Sequence, residues 1–203
     1  MSTQTPGHGE HGHEPGHGHE HAPGPVADAS VRVARATDVP AVGLVQAVVW
    51  REAYAALLPP EVLAEFEPRA FTAAWRESLA HPPTRDHILL VACAGEQVVG
   101  FAAVGPSSDP DADDSVAELL VMGVHPEARR QGHGSRLLNA VVDTARGRRR
   151  AVLNAWVLAT DEHTRAFLQS AGLAPDGAHR TRVVSEDGAT AKEVRLTASV
   201  LSE

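Results

Sequence analysis

VMGVHPEARRQGHGSRLL, residues 121–138, runs from an apolar stretch through a turn with two glycines into an amphipathic segment. The apolar stretch begins earlier, as AELLVMGV, residues 117–124, and reads as a strand. Leu137, Leu138, Val141 and Val142 recur at helical spacing after the turn. A helix N-terminus exposes unpaired backbone N–H groups and a partial positive charge, so an anion is stabilised there. Gly132 and Gly134 remove the Cβ atoms that would hold a phosphate away. Neither common nucleotide loop fits. The dinucleotide pattern needs a third glycine where Leu137 stands, and the Walker pattern needs a terminal GK[ST] that is absent.

Upstream, VRVARA, residues 31–36, alternates like a strand. Asp38 and Pro40 open a helix with Val42, Val45, Val49 and Ala53 on its apolar face, ending near Leu58 before Pro59 and Pro60. A second helical stretch begins at Pro60, and a third carries Phe71, Trp75 and Leu79. Residues 87–94 and 97–105 are strands around a Gly95-Glu96 turn, followed by an Asp-rich loop over 106–115. Downstream come a strand over 150–158 and a helix from Asp161 to Ala171 capped by Gly172. Two strands near 180–185 and 192–199 flank an Asp187-Gly188 turn. This order predicts a mixed sheet with helices on its faces.

The wider stretch resembles the acetyl-CoA signature of the GNAT N-acetyltransferase superfamily, R/Q-x-x-G-x-G/A after a strand ending in V-x-P. Here it stands as Arg129-x-x-Gly132-x-Gly134 after Val124-His125-Pro126. WREAYAALLP, residues 50–59, looks like the first helix of small bacterial members, and residues 154–173 look like their closing strand–helix segment. The resemblance covers residues 31 to about 200. It implies an α/β (α+β) fold with a mixed, mostly antiparallel central sheet and helices on both faces. It also implies an acyltransferase moving an acetyl group from acetyl-CoA to a primary amine of a small molecule or protein. The pantetheine arm is then expected on backbone groups around Met122 and Val124, where the strand splays from its neighbour. The pyrophosphate is expected on Arg130, Gln131, Gly132, His133, Gly134 and Ser135, with Arg129 and Arg130 adding charge.

Acetylating an amine requires a free lone pair, and at neutral pH only roughly one alkylamine in a thousand has it. A base is therefore useful, and Glu118, on the strand before the turn, is the candidate. A charged strand-end residue facing solvent is the bland alternative. The thioester oxygen needs a donor, expected from backbone N–H at a strand bulge near Val124. The resemblance departs in two places. Leu168 stands where a tyrosine commonly protonates the leaving thiolate, and Asp161 stands where an asparagine is usual beside the cofactor. A thiol pKa of ~8.5 makes thiolate a tolerable leaving group without an acid. Trp50 and Tyr54, on the first helix, are placed to touch the acceptor or simply to pack. The Asp109–Asp114 loop reads either as an attractor of cationic amines or as a solvated loop, and Arg146 to Arg150 as complements of a helix C-terminus.

The net charge is −8, half of it in residues 1–30, which hold Glu10, Glu14, Glu20 and Asp28 and no Lys or Arg. That balance gives no support for nucleic-acid binding. The lone Cys93 offers no disulfide framework and fits a reducing, cytoplasmic compartment. No stretch has the roughly 20 apolar residues of a membrane span. Residues 1–30 are rich in Gly, Pro, His and Glu and read as a disordered tail before a domain over 31–203. His8, His11, His13, His17, His19 and His21 suit Zn or Ni capture. A solvated tail titrating near pH ~6.5 is the plainer reading of them. Other open readings are an acyl-CoA-binding or sensing module without catalysis, and a monomer or a homodimer.

Overall fold

The structure is a computed structural model and describes residue 1, residues 29–184 and residues 188–201. Its elements are β1 (Ala29–Val33), α1 (Val39–Tyr54), α2 (Pro60–Ala64), α3 (Pro68–Ala80), β2 (Ile88–Ala94), β3 (Gln97–Pro106), β4 (Val116–Val124), α4 (His133–Gly147), β5 (Val152–Leu158), α5 (Glu162–Ser170), β6 (Ala174–Val183) and β7 (Thr190–Ser199). The tail histidines and Asp187 lie outside the described residues.

The strands form one sheet in the order β1-β2-β3-β4-β5-β7-β6. Every pairing is antiparallel except β4 with β5. Alternation along the strands sends two sets of apolar side chains to opposite faces. Leu90, Val104, Leu119, Leu153, Ala155 and Leu196 pack with Leu137, Leu138 and Val141 of α4 and Leu168 of α5. Val91, Phe101 and Ala103 pack on the other face with Val42 and Val45 of α1, and Trp75 and Leu79 of α3 adjoin them. The sheet is thus sandwiched by helices over β1 to β4. On the α1 side, the half formed by β5, β7 and β6 instead carries polar and charged side chains.

Asp38 ties α1 to β1. Its carboxylate accepts both arms of the Arg32 guanidinium at 2.6 and 2.9 Å and the Arg35 N–H at 2.7 Å. The arginine holds this carboxyl below its ordinary range despite burial. α1 ends at Tyr54, and residues 55–58 continue as a turn in which Leu58 N–H donates to Tyr54 C=O. Gly172, at φ +99°, closes α5 where the Leu173 N–H returns to Leu168 C=O.

Three expectations need correction. β1 begins two residues before Val31, because Ala29 pairs with Ala94 and Ser30 with Cys93. β6 starts at Ala174, well before 180, because the turn formers Pro175, Asp176 and Gly177 disguise a bulge between Pro175 and His179. Arg148 and Arg150 do not simply attend a helix end. They grip Asp86 at 2.5 and 2.7 Å, and Arg150 also donates to Asp114 C=O.

Candidate active site

β4 pairs with β5 only from Val116↔Val152 to Leu119↔Ala155. Beyond that, β4 follows β3 to Val124, while β5 follows β7 to Leu158. The two strands therefore part and leave a wedge-shaped gap. Its point of opening coincides with a bulge, since Val104 faces Leu119 but Ala103 faces Val121, leaving Leu120 as the extra residue. Leu120 is 43% exposed. The bulge expected near Val124 is thus at Leu120, and Val124 sits in regular register with Gly100.

Register determines where the backbone of β4 points. His125 N–H donates to Val99 C=O at 2.8 Å, so the alternate residues Gly123 and Val121 turn their polar groups to β3. Met122 and Val124 consequently turn theirs into the gap. The Val124 carbonyl accepts from Arg129 Nε at 3.2 Å. Gly123 is tightly packed, since a Cβ there would lie 3.0 Å from the Phe101 ring and press it aside.

The gap opens onto the glycine turn. A 3-10 turn, Pro126–Ala128, leads to Arg130 at φ 60° and Gly132 at φ 80°, both left-handed, and α4 starts at His133. Gln131 holds the loop by donating to Glu127 C=O at 3.1 Å, and Arg136 donates to Gln131 C=O at 3.1 Å. A Cβ on Gly134 would sit 3.4 Å from the Phe167 ring and 3.6 Å from Met122 Cε, so the start of α4 abuts α5 and β4. His133 is buried, its Nδ1 has no hydrogen-bond partner among the described residues, and burial with Arg136 nearby lowers its pKa. The first amides of α4, with exposed Arg130 and Arg136, form a compact anion-attracting surface.

Two expected cofactor contacts are otherwise engaged. Arg129 forms a bidentate pair with Glu52 of α1 at 2.8 and 2.6 Å. Asp161 caps α5, accepting from Thr164 N–H at 2.9 Å and Thr164 Oγ1 at 2.6 Å. Leu168 is fully enclosed in the core.

On the opposite side of the sheet, Glu118 faces Asn154 across the β4–β5 pairing and is 5% exposed, not solvent-facing. Ser107 Oγ donates to it at 3.2 Å. Burial, with Asp109 nearby, pushes its carboxyl above the ordinary range. Asp109 is buried as well, accepting from Trp156 Nε1 at 3.0 Å and from Arg195 at 3.1 Å, so the Asp-rich loop is anchored on the sheet. Trp50 and Tyr54 belong to a ring cluster with Phe66 and Phe71, with centroids 5.2–6.0 Å apart. Sequence reasoning missed Trp156, Arg180, Arg182, Glu193 and Arg195, which the sheet gathers beside Asp109 and Tyr54. Trp156 and Arg195 meet Asp109 across 47 and 86 residues, Arg180 and Arg182 meet Glu193 across the β6–β7 pairing, and no local pattern announces them.

A parted parallel strand pair opening onto a glycine turn at a helix N-terminus is the decisive combination, and residues 49–173 match the acetyltransferase (GNAT) family. The chain belongs to the GNAT acetyltransferase family. It is an acetyl-CoA-dependent acyltransferase acting on an amine. Solved structures share this GNAT fold. The yncA protein of Salmonella typhimurium, solved with its cofactor acetyl-CoA, is 18% identical, with 87% of this chain and 96% of that chain covered and a TM-score of 0.60. An N-acetyltransferase of Staphylococcus aureus Mu50 is 19% identical, with coverage of 86% and 100% and a TM-score of 0.64. The ribosomal-protein-alanine N-acetyltransferase of Brucella melitensis is 25% identical, with coverage of 84% and 99% and a TM-score of 0.60. No sequence among the curated proteins matches this chain. No helix among the described residues is long and apolar enough to cross a membrane.

Proposed function

We propose that acetyl-CoA lies in the gap between β4 and β5 and that a primary amine reaches it from the face carrying Glu118. The observation that carries this is the direction of the Met122 and Val124 backbone groups, which supply strand-like hydrogen bonds to an extended pantetheine arm. The amides from Arg130 to Ser135 receive the pyrophosphate, with charge supplied by Arg130 and Arg136. Arg129, held by Glu52, positions the turn against α1. Asp161 contributes by fixing the start of α5.

In this reading the amine lone pair attacks the thioester carbonyl carbon. The carbon–nitrogen bond forms, the carbon–sulfur bond breaks, and CoA leaves as thiolate. Glu118 takes the proton the nitrogen sheds. Its raised pKa brings a carboxylate closer to the working pH and makes it a better base. The Met122 N–H, two residues beyond the bulge, faces the developing oxyanion. Leu168 offers no proton, so the thiolate departs unassisted and is protonated from solvent. The acceptor amine, of a small molecule or a protein, is held between Trp50 and Tyr54 of α1 and the charged side chains of β6 and β7.

Gly132→Trp tests the donor half. The substitution places a bulky side chain where the pyrophosphate must approach, at a left-handed position. We expect an unchanged circular-dichroism spectrum with acetyl-CoA binding reduced at least about tenfold. Wild-type affinity in a folded Gly132→Trp protein removes the turn from the site.

A further inference from the structure

Among the described residues, the cationic side chains on the acceptor face are Arg180 and Arg182 of β6 and Arg195 of β7, and they are not equally engaged. Arg195 is saturated, since its fork meets Asp109, Asp111 and Asp176 at 2.7–3.1 Å. Arg180 donates to Glu193 at 2.5 Å, lies 4.3 Å over the Trp156 ring and comes only within 4.0 Å of Asp109. Arg182 reaches the same Glu193 at 3.7 Å, beyond hydrogen-bond distance, and its side chain is 55% exposed. Two guanidinium forks thus share one carboxylate.

Among the described residues, the other acidic groups on this face are committed. Asp109 is taken by Trp156 and Arg195, Asp111 and Asp176 by Arg195, and Glu118 accepts from Ser107. Tyr54 of α1 stands opposite, within electrostatic reach of both Arg182 and Glu193, and Glu118 is within reach of Arg180. Carboxylates outnumber guanidiniums on this face, but their pairing is uneven: Glu118 stands near the gap, and further out the exposed Arg182 fork has no hydrogen-bonded carboxylate among the described residues. A bare amine or a polyamine would meet that fork with like charge. A planar or tetrahedral oxyanion meets it with charge-assisted hydrogen bonds.

Building on the acetyl-transfer reading above, we propose that the accepted amine belongs to a small molecule that also carries an anionic group, as an amino acid does. Arg182, with Arg180 beside it, binds that group while the amine points toward the gap. Arg182 is a specificity residue for the acceptor rather than a catalytic residue.

The test uses the full chain loaded with CoA and two matched probe pairs, L-phenylalanine with phenethylamine and L-leucine with isopentylamine. Binding is read by calorimetry and transfer by CoA release from acetyl-CoA. We expect each amino acid to bind at least about tenfold tighter than its decarboxylated partner, the scale of one charge-assisted contact. Arg182→Ala should collapse that preference toward one, and Arg182→Lys should restore part of it. Equal binding within the pairs, binding of neither partner, or a preference that survives Arg182→Ala overturns the proposal. The two readings fail separately. An Arg182-dependent preference without CoA release sinks acetyl transfer to these amines and leaves the anionic subsite. Equal acetylation within each pair leaves acetyl transfer and sinks the subsite.

Discussion

Glu118 sits where folding and chemistry pull against each other. Burial and Asp109 make its ionised form costly, yet a base must be ionised to act. Because its folded-state pKa is raised, the folded protein keeps this proton to higher pH than the unfolded chain does. Its contribution to stability is complete below the ordinary glutamate range and is lost as pH rises through the raised value. Two results are expected of Glu118→Gln. The kcat/KM against pH of the wild type should show an acidic limb above the ordinary glutamate range, and the variant should lack it while losing about 10²- to 10⁴-fold in kcat. The same variant should melt no lower than wild type at pH 7, since it removes a charge that burial and Asp109 disfavour more than Arg180 favours it. An acidic limb that persists in Glu118→Gln assigns the base elsewhere. Asp109, Trp156, Arg180 and Arg195 could not be assembled from the sequence. Arg195 meets Asp109 across 86 residues and Trp156 meets it across 47, and only sheet register brings them together.

At the level of elements, the local features were legible and the relational ones were not. The RRQGHG turn, the α4 face and the α5 boundaries follow from spacing, capping and glycine placement within a few residues. The Leu120 bulge does not, because a bulge exists only relative to the strand it pairs with, and β3 makes that choice. β6 was obscured by Pro175 and Gly177, which mark turns in most settings and here lie in an edge strand. Asp161 shows how an element-level role can underlie a site role. Asp161→Ala removes the bonds to Thr164 and should cost about 0.5–2 kcal/mol by thermal or urea unfolding. Asp161→Asn keeps an acceptor for the Thr164 N–H and should recover most of that. If acetyl-CoA affinity falls equally in both variants while stability does not, Asp161 touches the cofactor itself.

Across the whole molecule, every residue placed in the site lies between Trp50 and Arg195, well inside the described fold. A shortened chain beginning at residue 25 retains all of β1 and should keep kcat/KM for acetyl-CoA within about twofold, a difference under 1 kcal/mol. Titration of the same pair of proteins with Zn or Ni separates metal capture by the histidines from a merely solvated tail, since only capture gives the full chain extra uptake. The parting of β4 and β5 reaches furthest. An ordinary open sheet has two edges, and this one has β1 and β6 outside plus two more within, along the gap. Unpaired strand edges are templates for other strands, and proteins usually blunt them with charge, proline or cover. An edge that must admit an extended ligand cannot be blunted that way, and here it carries the exposed apolar Leu120. Protein stripped of acetyl-CoA should therefore aggregate faster on warming than the loaded form, by light scattering at matched fractions unfolded. In the proposed placement the cofactor serves as the strand that finishes the sheet, and its supply then bears on whether the chain stays in solution as well as on how fast it works.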